Sequence, residues 1–178
     1  MTDPQLVTVE GGELVVQTSN GDISQGQSVN DFIKYVDLSG EALNEIHIAS
    51  RFANAFPAAL AAQGRSPDTI PNYAQQGIVF GLGSQADGEV VKLVFGGNKG
   101  NSVQLWAEGL IDTIYTLDAM LADPAQGLTD VASVELTLVI DKAAGTVTPL
   151  VTLYGADGAI LGGLRAEPPA GFATAAAE

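Results

Sequence analysis

Apolar residues along this chain recur with a period of two, in short runs bounded by Gly, Asn and Asp, which is the pattern of half-buried β-strands rather than helices. Between 44 and 52, Ile46, Ile48, Ser50 and Phe52 fall on one face, and Glu45, His47, Ala49 and Arg51 on the other. Between 131 and 141, Val134, Leu136, Leu138 and Ile140 alternate with Ser133, Glu135, Thr137 and Val139. Further runs at 13–18, 31–38, 77–82, 89–95, 102–108, 114–117, 147–154 and 159–164 bring the predicted set to about nine or ten strands. The connections at 19–22, 84–88, 96–101, 143–145 and 155–158 are rich in Gly and Asx, as hairpin turns are. Two stretches break the pattern. The Pro-containing, Ala-rich segment 57–72 predicts a long loop with one helical turn, and 118–126 predicts another loop or turn. There is no solenoid repeat and no alternation of strands with long helices. The fold expected is therefore all-β: a two-sheet antiparallel β-sandwich.

Composition narrows the picture. Of 178 residues 46% are hydrophobic and 16% charged, enough apolar content for a packed core and against disorder. The expectation is one sandwich domain over 1–166, followed by a Pro- and Ala-rich tail or linker at 167–178. A net charge of −14, with no local cluster of Lys or Arg, argues against nucleic acid and anionic membrane surfaces as partners. With no Cys, the chain has no disulfides, no thiolate nucleophile and no Cys-ligated metal, and a single His removes most histidine metal sites. No apolar run is long enough to span a membrane, and the first residues lack the pattern of a signal peptide. Together with the tail, this leads us to expect a module attached to other domains in a longer exported protein, extracellular or at the cell surface. The acidity fits such a setting, where it maintains solubility and says nothing about a ligand.

The order of segments from Asn44 to Leu164 resembles the concanavalin A-like, laminin G-like jelly-roll modules of bacterial extracellular multidomain proteins. The resemblance is carried by Gly77-Ile78-Val79-Phe80-Gly81-Leu82-Gly83 followed by Val90-Val91-Lys92-Leu93-Val94-Phe95-Gly96. It extends to Val134-Glu135-Leu136-Thr137-Leu138-Val139-Ile140-Asp141 with Gly145-Thr146-Val147 after it. These motifs describe strands and turns and contain no catalytic signature. The resemblance implies a jelly-roll sandwich and, by analogy, a sugar ligand, sometimes with a structural calcium ion; some relatives are glycoside hydrolases or polysaccharide lyases.

If Ile78, Phe80, Leu82, Val91, Leu93, Phe95, Val103 and Leu105 face the core, alternation puts Lys92, Gln104, Trp106 and Glu108 on the opposite face, expected to be exposed. A Trp ring stacks on a pyranose, while Lys, Gln and Glu offer donors and acceptors to hydroxyls. His47 and Arg51 join them if the 44–52 strand lies alongside. The bland alternative is that Trp106 covers a secondary hydrophobic cluster and the charges are ordinary solvated positions. Glu45, Glu108 and Glu135 are the carboxylates available to a hydrolase, and His47 with Tyr73 or Tyr115 the pair available to a lyase, but nothing in the spacing brings any two together. Asp22, Asp37, Asp87, Asp141 and Asp157 sit in or beside turns, where they either help hold a calcium ion or bond their own backbone. No cofactor is required. The function expected is non-catalytic binding of a carbohydrate or glycan surface. The alternatives are a structural or adhesive spacer, and a glycoside hydrolase or polysaccharide lyase on the same fold.

Overall fold

A computed structural model describes residues 7–11, 13–16, 44–72, 74–81, 90–97, 99–107, 111–141, 143–144 and 146–166. The expected strand at 31–38, together with Tyr73, Glu108, Asp22, Asp37 and Asp87, lies outside them. Near the N-terminus, β1 (Val7–Glu10) and β2 (Glu13–Val16) form an antiparallel hairpin, with Val9 paired to Leu14 across the turn. The sequence reading found the second of these strands and missed the first. The signal was there, a Gly-Gly dipeptide between two short valine-containing runs.

The remaining strands form two four-stranded antiparallel sheets. The first has the order β10-β9-β8-β3, built from β3 (Glu45–Ala53), β8 (Ser133–Asp141), β9 (Thr146–Tyr154) and β10 (Ile160–Arg165). The second is a meander, β4-β5-β6-β7, of β4 (Gln75–Gly81), β5 (Val90–Gly96), β6 (Ser102–Ala107) and β7 (Ile111–Thr116). The chain passes from the first sheet to the second after β3, through the short helix α1 (Phe56–Ala62). It returns after β7, through the single turn α2 (Leu117–Met120) and a 3-10 turn at Leu128–Asp130. Pro57 occupies the first turn of α1, where its missing N–H costs no helical bond. Both irregular stretches expected from sequence thus carry a short helix.

The core lies between the sheets. Val91, Leu93, Phe95, Val103 and Leu105 from one meet Val134, Leu136, Leu138, Ile140, Val147, Val151 and Leu153 from the other, as strand alternation requires. The crossovers seal its margins with Ile70, Leu117, Met120, Leu121, Leu128 and Val131. Two asparagines fasten these crossovers. Asn54 donates to the carbonyls of Leu128 (3.1 Å) and Val131 (2.8 Å). Asn101 accepts from the Ile70 N–H (2.8 Å) and donates to the Asp68 carbonyl (2.7 Å). Each supplies partners to backbone that has left the sheets and would otherwise leave polar groups unpaired. Past α2, Leu121 bridges to Gly162, and the Ala122 N–H donates to the Leu161 carbonyl, laying this segment along β10. Among the described residues, no helix is long and apolar enough to cross a membrane.

Candidate functional site

Of the six residues singled out from sequence, five fall within the described residues, and they divide between the two outer faces of the sandwich. Lys92 on β5 and Gln104 and Trp106 on β6 turn away from the core, as alternation predicts, with Lys92 directly opposite Trp106. His47 and Arg51 belong to β3, a strand of the other sheet, and lie on its exposed outer side. The two groups therefore sit on opposite sides of the molecule, with the core between them, and do not form one site. Glu108 is outside the described residues.

The expected exposure of the Trp106 face needs correcting. Lys92 keeps 7% and Gln104 2% of their accessible surface, and Val94, in phase with Lys92 on β5, keeps 4%. Trp106 itself is half-buried. Its neighbours are already engaged: the Lys92 ammonium sits over the indole ring, 4.9 Å from the centroid, and the Gln104 side-chain amide donates to Asp112 Oδ1 at 2.5 Å. Cation–π packing and an amide–carboxylate bond satisfy polar groups that burial would otherwise penalise. The sequence carried a sign of this. β5 reads Val-Val-Lys-Leu-Val-Phe-Gly, a nearly continuous apolar run of the kind that marks a strand covered on both faces.

The outer face of the first sheet is different. Arg51 pairs with Glu135 across β3 and β8, and Ser133 pairs with Tyr154 across β8 and β9. These four side chains interlock. The Arg51 Nε–H donates to Ser133 Oγ at 3.0 Å, and the guanidinium lies over the Tyr154 ring, 3.8 Å from its centroid. The Tyr154 hydroxyl donates to Glu135 Oε2 at 3.4 Å. Arg51 is exposed and the other three are half-buried. Around them the face carries Thr137, Thr148 and Thr152 together with Leu150, the buried Val139 and, on β10, the exposed Arg165, and at the start of β3 His47 Nε2 meets Glu45 Oε1 at 2.5 Å. Sequence reasoning named Arg51 and His47 but missed Tyr154 and Ser133. Counting outward from the 143–145 turn would have paired them.

Among the described residues, which include neither Glu108 nor Tyr73, the carboxylate and His–Tyr combinations are not assembled. Glu45 and Glu135 share this face, but Glu45 lies six residues along β3 from the partner of Glu135, about 20 Å at the rise of a strand. Paired glycosidase carboxylates stand about 5–10 Å apart. Tyr115 points inward from β7 and packs against the core, where burial raises its pKa, and so lies away from His47. As for calcium, Asp141 accepts the Ala144 N–H and Asp157 the Ala159 N–H, both at ordinary turn geometry. Among the described residues, no three His, Asp or Glu side chains converge as a cation site; Asp22, Asp37 and Asp87 lie outside them. Compared with protein families, with curated proteins and with solved structures, the chain matches none.

Proposed function

We propose that this chain is a non-catalytic carbohydrate-binding module of a larger exported protein, engaging glycans through the outer face of the β10-β9-β8-β3 sheet. The jelly-roll, concanavalin A-like form of the sandwich, the extracellular location and the attachment to other domains belong to the same proposal and rest on the resemblance of its strands. The observation that supports the ligand is the interlocked set of Arg51, Tyr154, Glu135 and Ser133, a charged and aromatic cluster at an exposed sheet surface. Sugar recognition needs a mixed array of donors and acceptors held in fixed positions beside an amphipathic ring. The Trp106 face supplies the same residue types, but Lys92 and Gln104 have almost no surface left to offer.

The test is a glycan array probed with the whole chain, once with calcium and once with a chelator. Retention in both conditions, lost in Tyr154→Ala and kept in Trp106→Ala, is the expected result. Retention lost only in Trp106→Ala moves the site to the second sheet, and retention lost with the chelator makes calcium part of it. Silence across the array from a folded protein removes the glycan and leaves a structural or adhesive spacer.

A further inference from the structure

Arg51 and Glu135 are direct cross-strand partners of opposite charge, yet no salt bridge joins them. Each is held instead by a neutral neighbour. Arg51 gives its Nε–H to Ser133 and rests its flat side on Tyr154, while Glu135 accepts the Tyr154 hydroxyl through Oε2. A guanidinium has five donors, and this arrangement occupies one; a carboxylate has two oxygens, and it occupies one. The two Nη groups and Glu135 Oε1 have no partner among the described residues. The result is a donor and an acceptor fixed side by side, about 5 Å apart at the level of their β-carbons.

We infer that the ligand of this face is a neutral polysaccharide, held through neighbouring ring hydroxyls by Arg51 as donor and Glu135 as acceptor; this rests on the glycan-binding reading above. A hydroxyl both donates and accepts, so two adjacent ones satisfy both groups without bringing a charge of their own. An acidic sugar fits the Arg51 fork alone. Its carboxylate would stand beside that of Glu135, on a chain whose net charge is −14. The groups bordering the pair do not offset that repulsion. Thr152 and Gly163 continue the row of Glu135 on β9 and β10, and the next row is Ala49, Thr137 and Leu150, with the exposed Arg165 at its far end on β10, three strands from β3. The charge arrangement therefore favours hydroxyls over carboxylates.

Affinity electrophoresis distinguishes these ligands, using gels cast with hydroxyethyl cellulose, galactomannan or xylan, and in parallel with carboxymethyl cellulose or polygalacturonate. The expected result is retardation by at least one neutral polymer that changes little with added salt. Arg51→Ala and Glu135→Gln should each weaken it about tenfold, equivalent to about 1.4 kcal/mol, while melting within a few degrees of wild type. Retardation confined to the carboxylated polymers, abolished by salt and strengthened by Glu135→Gln, overturns the neutral ligand while leaving glycan binding in place. Retardation by a neutral polymer that neither variant alters overturns the role of the pair. If no polymer of either kind retards the wild type, the glycan-binding reading falls with it.

Discussion

The outward rows of the two sheets draw on similar side chains, a cation, an aromatic ring and a carboxylate, and use them in different ways. On β3, β8 and β9, Arg51, Tyr154 and Glu135 meet at a surface open to water. On β5, β6 and β7, Lys92, Trp106, Gln104 and Asp112 make contacts of the same kind, but Lys92 and Gln104 are nearly sealed from solvent. Contact chemistry alone does not separate a ligand surface from a structural layer. Solvation does. A buried amide or ammonium must keep its partner because water cannot replace it, whereas an exposed one exchanges its partner for water at little cost and is free to exchange it for a ligand.

The contrast can be broken or sharpened by substitution, and Gln104→Ala has the largest expected effect. It opens a cavity and removes the partner of Asp112, so the urea midpoint should fall by the equivalent of about 2–4 kcal/mol with an unchanged slope. Gly97→Ala tests the same layer from its edge. Gly97 has a φ of 112°, and a β-carbon there would lie 2.5 Å from Gln104 Oε1, so a loss of about 1–3 kcal/mol is expected. Arg51→Ala, which removes an exposed cation–π contact and one hydrogen bond, should cost no more than about 1 kcal/mol. If Arg51→Ala destabilises as much as Gln104→Ala, the distinction between the two faces is wrong.

The smallest effect is a matter of pH. Burial raises the Tyr115 pKa above its ordinary value of about 10, so the unfolded chain loses this proton first as pH rises. Its contribution is complete below about pH 10 and declines as the pH climbs toward the folded-state pKa, where both states become deprotonated. Urea midpoints measured from pH 9 upward should fall less steeply in Tyr115→Phe than in wild type. Identical slopes would place the tyrosine in water rather than against the core.

The strands were readable from the chain because their signal is local. Alternation at 44–52 and 131–141 anticipates β3 and β8 to within two residues, and Gly- and Asx-rich turns mark the hairpins. Which strands become neighbours is not local. β3 and β8 pair Arg51 with Glu135 across 84 positions of chain, and no periodicity within either strand encodes that meeting. Placing His47 and Arg51 beside Trp106 required β3 to join the wrong sheet. Tyr154 lay closer to reach, since the β8–β9 hairpin fixes its register from the turn. The burial of Lys92 was hidden for another reason. Alternation says which way a side chain points and leaves open what is stacked above it. Only the apolar run around Lys92, with Val94 in phase, hinted at a covered face.

The segment after α2 blunts one edge of the first sheet. Its bridge from Leu121 to Gly162 occupies the outer margin of β10, and a β-carbon at Gly162 would collide with the Met120 carbonyl. An unprotected strand margin invites edge-to-edge pairing, by which concatenated β-sandwiches misassemble and aggregate. With the Leu161–Gly162 part of this margin already occupied by the chain's own backbone, and a glycine the residue that lets the backbone come so close, β10 offers a foreign strand only a shortened edge to pair with.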